Sequence, residues 1–338
     1  MGTAMQNNPL LIEITRGDAA ESAHRGAFVV ANDQNELVAS DGDIDHPIYP
    51  RSAVKPLQAL PLIESGAADR WTLSDGELAL ACASHSAEPR HIDSVLAWLK
   101  KVGLSERDLA CGPHAPLSEA ARDQLLLQNI CPGRVHNNCS GKHTGFLSTA
   151  AHLGEPAVGY LELEHPVQQR VKKVLAEMTD NAFDDATVGV DGCGAPVFGM
   201  SLRGLALAMA RYGTGTELSG SRARAAARFY RAMVREPCMV AGAGRWCTLA
   251  MQITGECLVV KGGAEGVYCA IVPGQQIGIA LKIDDGGSRA AEALMGLLLV
   301  RHAKLTPDLS AKLEKLSLPA ILNAEGNVVG ATKPIGRI

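Results

Sequence analysis

Ser52 and Lys55 are the residues whose types and spacing best suit catalysis. A serine hydroxyl is a weak nucleophile until a base removes its proton, and a neutral lysine can act as that base. Residues three apart on the first turn of a helix share a face, so the spacing predicts that hydroxyl and amine meet. The helix N-terminus would also favour negative charge on the serine oxygen. The same spacing allows an alternative, a helix-capping serine followed by a solvated lysine.

A second polar cluster lies in residues 82–91, at the expected junction between two helices. Small residues beside polar ones at such a junction suit a substrate surface. Ser84 is a candidate second hydroxyl and His85 a candidate polar contact. The alternative is a plain helix–helix turn in which Ser86 caps the next helix. Lys261 lies between an apolar strand and two glycines, so it can point into a cleft or simply be solvated.

The densest polar stretch of the chain contains Cys139 and Lys142, again three residues apart. A second thiol, Cys193, lies far along the chain in a tight glycine turn. Two thiolates prefer soft or borderline metal ions, with zinc the first choice. Lysine is an unusual ligand because it must lose its proton, so His136 or His143 would be the ordinary third ligand. The alternatives are two unconnected thiols, a thiol nucleophile or a redox pair.

The elements that must position these residues follow from the periodicity of the chain. Apolar runs and alternation predict strands at residues 10–15, 26–31, 36–39, 187–190, 257–261, 266–272 and 277–283. Helical periodicity and capping residues predict helices at residues 51–60, 74–83, 88–102, 118–129, 140–153, 165–179, 197–212, 219–234 and 289–303. Strands at both ends with a helical middle predict an α+β fold whose single sheet is built from both termini. We expect one catalytic unit over residues 1–338, with sheet parts at 1–50 and 240–338 and a helical middle at 51–239.

The composition excludes several function classes. The chain has 338 residues and a formal net charge of −4, so it offers no basic surface for nucleic acid or an anionic membrane. The sequence has no apolar run long enough for a transmembrane helix, and its N-terminus lacks the layout of a signal peptide. Nine scattered cysteines without a secretory signal indicate reduced thiols. We therefore expect a cytoplasmic globular protein with neither nucleic acid nor membrane as a partner.

Four motifs, taken in order, resemble those of a known family. The Ser-x-x-Lys spacing is the one that marks the nucleophile in penicillin-binding proteins and serine β-lactamases. The four motifs are Arg51-Ser52-x-x-Lys55-Pro56, Cys82-Ala83-Ser84-His85, Asn138-Cys139-Ser140-Gly141-Lys142-His143 and Asp191-Gly192-Cys193-Gly194-Ala195-Pro196. Together they resemble the class 3, rhizobial-type L-asparaginases, also called the asparaginase II family. The resemblance spans nearly the whole chain.

This resemblance implies the fold of the penicillin-binding protein, serine β-lactamase and glutaminase superfamily, assembled as a homodimer. It implies hydrolysis of L-asparagine to aspartate and ammonia. It also implies two Ser-Lys tandems that lie together, Ser52 with Lys55 and Ser84 with Lys261. In that arrangement Lys55 accepts the Ser52 proton, and Ser84 relays protons or positions the amide.

The resemblance further implies a zinc ion, which aids substrate binding more than it activates the nucleophile. Its ligands would be water and the side chains of Cys139, Lys142 and Cys193. We expect the substrate to be bound by Arg51, His143 and Asp191, the last two through its α-amino and α-carboxylate groups.

Three rival functions stay open at this point. Glutaminase is the nearest, since one methylene separates the two substrates and an apolar pocket discriminates poorly on that basis. Another Ser-x-x-Lys serine hydrolase is the second. The third is a zinc-binding protein without catalysis, which explains the thiols but gives the Ser-Lys pairs no role.

Overall fold

A computed structural model of the chain describes residues 8–183 and 188–336. Its contacts divide the chain into two compact units. Unit 1 comprises Met1–Ala53, Met200–Thr216 and Leu249–Ile338, and unit 2 comprises Val54–Gly199 and Glu217–Thr248. The chain therefore leaves unit 1 directly after Ser52 and Ala53 and returns to it twice. The expectation that residues 1–338 act as one catalytic unit stays a prediction.

Unit 1 contains an eight-stranded antiparallel sheet built from both ends of the chain. Its strands are β1 (Leu10–Arg16), β2 (Ala19–Asn32), β3 (Leu37–Asp41), β6 (Val259–Gly262), β7 (Val267–Val272), β8 (Ile277–Ile283), β9 (Ala320–Leu322) and β10 (Val328–Pro334). The strand order is β6-β7-β8-β2-β1-β10-β9, and β3 also pairs with β2. Strands β7 and β8 are rich in β-branched residues and almost fully buried, as expected of strands in the body of a sheet.

Helices α8 (Leu202–Thr214) and α12 (Ser288–His302) pack on this sheet, and α13 (Pro307–Ser317) packs on α12. Gly278 in β8 makes the approach of α8 possible, because a Cβ atom at this position would lie 2.0 Å from the Ala206 carbonyl oxygen. The sheet of unit 1 thereby gains a helical cover, which buries the apolar side chains of β8.

Unit 2 is mainly helical. Its helices are α1 (Lys55–Glu64), α2 (Ala67–Arg70), α3 (Asp75–Ala81), α4 (Pro89–Lys101), α5 (Glu119–Leu127), α6 (Ser140–Leu153), α7 (Pro166–Thr179), α9 (Gly220–Arg235) and α10 (Pro237–Val240). A small hairpin joins β4 (Val188–Val190) to β5 (Pro196–Phe198), and α11 (Trp246–Thr254) begins in unit 2. Helix α1 packs against α6, α7 and α9, which surround it with apolar surface.

The predicted α+β fold, with a sheet from both chain ends and helices between, is confirmed. Most predicted elements lie within two residues of the observed ones. The helix predicted at residues 197–212 is wrong at its start: residues 196–198 form β5, and α8 begins at Leu202 because Ser201 caps it. The helix predicted from residue 51 begins as a 3-10 turn over Arg51–Val54, and α1 itself begins at Lys55. Residue 187 of the predicted strand lies outside the described residues.

Candidate active site

Ser52 lies in unit 1, in the turn Arg51–Val54, and its side chain is partly exposed. The end of β6 lies directly against this turn. A Cβ atom on Gly263 would be 2.9 Å from the Pro50 carbonyl oxygen and 3.2 Å from the Ser52 backbone nitrogen, which is too close for any larger residue to fit without displacement. Glycine at position 263 therefore sets how near the Ser52 turn approaches the strand that carries Lys261.

Lys261 belongs to the same unit and is almost completely buried in β6. Its Nζ donates a hydrogen bond to the Gly262 carbonyl oxygen at 2.7 Å. Its cross-strand neighbour Cys269 donates from Sγ to the Ala53 carbonyl oxygen at 3.2 Å, which ties β7 to the residue after Ser52. Unit 1 thus brings together the predicted nucleophile and the predicted distant lysine on one edge of its sheet. A solvated Lys261, the alternative from sequence, is excluded by its burial.

Lys55 is the first residue of α1 and one of the most deeply buried side chains of unit 2, with 1% of its surface exposed. Its Nζ donates to the Ala83 carbonyl oxygen at 2.5 Å and to the Ser84 Oγ at 3.0 Å. Spacing pairs Lys55 with Ser52, and the family resemblance pairs Ser84 with Lys261. Neither predicts the bond between Lys55 and Ser84. Lys55 therefore contacts the second hydroxyl of the predicted double centre.

The segment after α3 holds Ser84 in place through its neighbours. The Ser84 backbone N–H donates to Val240 and that of His85 donates to Asn138. His85 is fully buried: its Nδ1 accepts from the Ala87 N–H at 3.2 Å, so its Nε2–H is the donor to Ser140 Oγ at 2.8 Å. Burial lowers the pKa of His85 well below its ordinary value, with a further contribution from neighbouring His91. The imidazole is therefore neutral and links the Ser84 segment to the start of α6.

Gly141 allows this start of α6 to lie against the end of α3. A Cβ atom on Gly141 would be 2.3 Å from the Leu80 carbonyl oxygen. The same helix start carries Cys139 as its N-cap residue and Lys142 on its first turn. Close packing of α6 on α3 therefore puts the predicted thiol–lysine pair in the same unit as Ser84 and Lys55.

Cys139, Lys142 and Cys193 lie together in unit 2, and all three are buried. Their role as zinc ligands stays a prediction. Lys142 Nζ donates to Cys193 Sγ at 3.1 Å, and Cys139 Sγ donates to Asn138 Oδ1 at 3.0 Å. The neighbouring Cys139 lowers the pKa of Cys193 far below its ordinary value against the effect of burial, and Lys142 adds to this. Burial opposes the charged form of Lys142, yet the adjacent thiols Cys193 and Cys139 raise its pKa above the usual range. The cluster thus brings two thiols and an amine together in surroundings that favour the deprotonated form of Cys193.

The turn that carries Cys193 is held by its own backbone. Asp191 donates its N–H to Ala195, and Gly194 donates to the Asp191 carbonyl oxygen. Gly194 has φ of +84°, a left-handed conformation that glycine adopts without strain. The partly exposed Asp191 therefore lies two residues from the buried thiol, in the turn that fixes that thiol.

His143, the predicted substrate contact, is fully buried behind Lys142. Its Nδ1 lies 2.7 Å from the hydroxyl oxygen of Tyr160, and that oxygen accepts the Ala110 backbone N–H at 2.8 Å. The imidazole of His143 also interacts with Cys193, and burial lowers the pKa of His143 in spite of this interaction. His136 is placed differently: its Nδ1 accepts the Gly133 N–H at 2.9 Å, in a short 3-10 turn.

Tyr160 and Cys111 were missed by reasoning from the sequence. Tyr160 is buried and lies in the loop that joins α6 to α7, and the sequence of this loop shows no motif. Burial raises the pKa of Cys111 to about 12, and the charge of the nearby Cys193 adds to this increase. Cys111 is therefore a neutral thiol beside the cluster. Only the folded chain brings these residues together, so local sequence gave no signal for them.

The sequence of this chain matches one known protein family. The family model described as L-asparaginase II matches residues 12–334. No curated protein matches the chain. No helix in residues 8–183 and 188–336 is long and apolar enough to cross a membrane.

Several solved structures are distantly similar. One is a β-lactamase/D-alanine carboxypeptidase from Pseudomonas syringae, with 14% identity, 83% of this chain and 94% of that chain covered, and a TM-score of 0.42. Another is a class C β-lactamase from Rhodobacter sphaeroides, with 15% identity, coverage of 85% and 93%, and a TM-score of 0.40.

Proposed function

Because the chain belongs to the L-asparaginase II family, we propose that it is an L-asparagine amidohydrolase, which releases L-aspartate and ammonia. The observation that carries this proposal is the buried amine of Lys55, which hydrogen-bonds the Ser84 hydroxyl at 3.0 Å and follows Ser52 by three residues. A buried lysine amine beside a serine hydroxyl is suited to proton transfer. In this proposal Ser52, which is near Lys55 in the chain, supplies the nucleophile, and Ser84, which is near it in space, supplies the relay.

In the proposed reaction, the Lys55 amine accepts the hydroxyl proton of Ser52. The Ser52 oxygen attacks the side-chain amide carbon of asparagine, and backbone N–H groups at the helix start stabilise the oxyanion. The carbon–nitrogen bond then breaks, and the leaving nitrogen takes the proton to depart as ammonia. Ser84 Oγ is the acceptor in its bond with Lys55, so its own hydrogen is not used there and Ser84 can pass a proton onward. Water then hydrolyses the acyl-enzyme to aspartate and restores Ser52.

Lys261 and Arg51, both in unit 1, are further proposed members of the catalytic set. Lys261 is buried on the strand whose end touches the Ser52 turn, which supports a role for its amine near the proposed nucleophile. Its pairing with Ser84 rests on the family resemblance. Arg51 precedes the nucleophile and has φ of +51°, a conformation that non-glycine residues seldom adopt outside constrained sites. We propose that Arg51, His143 and Asp191 bind the amino-acid part of the substrate.

A zinc ion fits the donor set of the thiol–lysine cluster. The groups that would hold it are Cys139, Lys142 and Cys193, whose side chains already converge. Among the described residues, no three His, Cys, Asp or Glu side chains form a metal-binding cluster, so Lys142 is the third donor that the chain offers here. Bound zinc would supply a Lewis acid for orienting the substrate, and it would require Lys142 and both thiols to lose their protons.

Ammonia release with L-asparagine and L-glutamine, with and without added zinc, tests the proposed function. We expect release from asparagine in wild type and none from Ser52→Ala. Preference for glutamine would favour the glutaminase alternative, and cleavage of a chromogenic β-lactam would favour a wider serine hydrolase. No ammonia from either amide by folded, zinc-loaded protein would contradict the proposal and favour a non-catalytic zinc-binding protein. The homodimer and the cytoplasmic location stay predictions.

A further inference from the structure

A buried thiol links the Ser52 turn to the strand that carries Lys261. Cys269 lies in β7, is 1% exposed and pairs across the sheet with Lys261. Its Sγ lies 3.2 Å from the Ala53 carbonyl oxygen and 3.7 Å from the Lys261 carbonyl oxygen. Ala53 directly follows Ser52 in the chain. One side chain therefore reaches the backbone of both segments of unit 1 that supply the proposed catalytic set.

The direction of this hydrogen bond follows from the chemistry of the two groups. A carbonyl oxygen can only accept, so the free thiol of Cys269 donates its one hydrogen. The shorter contact is the one to Ala53, which identifies the Ala53 carbonyl as the main acceptor. A thiol is a weak donor in water, but burial removes the competing solvent and strengthens the bond. The bond therefore restrains the backbone immediately after Ser52.

The turn that carries Ser52 needs such a restraint. Arg51, directly before Ser52, has φ of +51°, which non-glycine residues seldom keep unless their surroundings enforce it. A Cβ atom on Gly263 would lie 2.9 Å from the Pro50 carbonyl oxygen, so close packing limits how near the turn comes to β6. Such packing does not stop the turn from moving away. The hydrogen bond from Cys269 supplies the attraction that opposes this movement.

We propose that Cys269 is a positioning residue, whose thiol holds the Ser52 turn so that the hydroxyl is oriented for attack. This role rests on the proposed function, in which Ser52 is the nucleophile, and it gives Cys269 no part in bond making. Loss of the thiol hydrogen bond should lower the reactivity of Ser52. Cys269→Ser should preserve that reactivity, because a hydroxyl also donates one hydrogen bond.

The S–H stretching band in the infrared spectrum reports the hydrogen bond itself. Subtracting the spectrum of Cys269→Ser from that of wild type isolates the Cys269 band from those of the other thiols. We expect this band at a lower frequency than that of a thiol in an apolar solvent, as a hydrogen-bonded donor requires. A band at the apolar-solvent frequency would overturn the inference. This readout needs no enzyme activity.

The reactivity of Ser52 can be measured without an amide substrate, as the rate at which a fluorophosphonate labels it, followed by mass spectrometry. We expect labelling of Cys269→Ala to be about tenfold slower than that of wild type, and labelling of Cys269→Ser to stay within about twofold, because small displacements of a nucleophile are costly. Val272→Ala is the matched control, since it truncates an equally buried side chain of β7, and its rate should equal that of wild type.

These measurements separate the role of Cys269 from the proposed function. Equal labelling rates in wild type and folded Cys269→Ala, or a slow rate in Cys269→Ser, would overturn the role of Cys269. Labelling of Ser52 without ammonia release from asparagine would contradict the proposed function, and the rates would still decide the role of Cys269. Absence of labelling at Ser52 in wild type would contradict both. If Cys269→Ala does not fold, the infrared band and the rate in Cys269→Ser decide.

Discussion

Lys55 Nζ lies 3.0 Å from Ser84 Oγ, with the amine almost completely buried at the start of α1. The two residues are 29 positions apart, and the bond joins the first two motifs of the chain. It makes Lys55 a common neighbour of two serines, Ser52 by sequence and Ser84 by contact. A base shared by two hydroxyls can take a proton from one and return it through the other.

Replacement of Lys55, the proposed base, should strongly reduce turnover without loss of the fold. Lys55→Met keeps an unbranched side chain of similar shape, and we expect kcat to fall on the order of 100- to 10,000-fold, the contribution usual for a positioned general base. Ammonia release measures the loss. Lys100→Met, which changes an exposed lysine on α4, is the control and should retain full activity. Comparable activity in Lys55→Met and the control would remove Lys55 from the chemistry.

The close approach of β6 to the Ser52 turn predicts a strong effect at a glycine that carries no chemistry. In Gly263→Ala the new Cβ would lie 2.9 Å from the Pro50 carbonyl oxygen and must push the turn aside. We expect kcat/KM to fall roughly 100-fold, because small displacements of a nucleophile are costly. The free energy of unfolding should fall by about 1–3 kcal/mol. Ammonia assays measure the change in kcat/KM, and urea denaturation measures the change in the free energy of unfolding.

Gly274→Ala is the matched control, since a Cβ atom there meets nothing within 4 Å. It should leave both activity and stability near wild type. Equal activity in the two alanine variants would show that the Ser52 turn tolerates displacement, contrary to the geometry.

The binding of zinc should depend on Cys139. Because Cys139→Ser replaces a thiol ligand with a poor one, we expect dialysed protein to lose stoichiometric zinc by elemental analysis. Cys131→Ser, which alters an exposed thiol, should keep the metal content of wild type. Stoichiometric zinc in Cys139→Ser would rule out the proposed ligand set.

The buried histidine His85 predicts a dependence of stability on pH. Burial lowers its pKa in the folded protein, so the unfolded chain binds more protons. Its contribution to stability is therefore complete above the unfolded pKa of about 6.5 and is lost as pH falls below that value. The loss can reach about 1.4 kcal/mol per pH unit for one such group.

Urea unfolding at pH 7.5 and pH 5.5 measures this effect. Wild type should lose stability over the interval, and His85→Gln, whose amide cannot titrate, should lose less. His114→Gln changes an exposed histidine and should follow wild type. If His85→Gln and wild type lose the same free energy, His85 is not the group responsible.

Much of the fold was predictable because its signals are local. Ser74 and Glu77 form a capping box that begins α3, and β8 was located to the residue by its apolar run and flanking turns. The start of α8 was mispredicted because residues 196–198 are apolar and suit a helix or a strand equally, and their pairing with β4 decided the outcome.

The candidate site was predictable in its residues and less so in its contacts. Spacing of three placed Ser52 near Lys55 and Cys139 near Lys142, since helical geometry is local. The bond of Lys55 to Ser84 and that of Tyr160 to His143 depend on how helices pack, which no short motif encodes. The convergence of Cys193 on Lys142 across 51 residues was expected from family resemblance alone.

Trapping the covalent intermediate is the most direct test of whether Ser52 is the nucleophile. Wild type should be mixed with L-asparagine, quenched in acid within one turnover and digested, and the peptides analysed by mass spectrometry. We predict an aspartyl ester on Ser52, absent from Ser52→Ala and from Lys55→Met. An ester on Ser84, or on Cys139 or Cys193, in an enzyme that releases ammonia would contradict it.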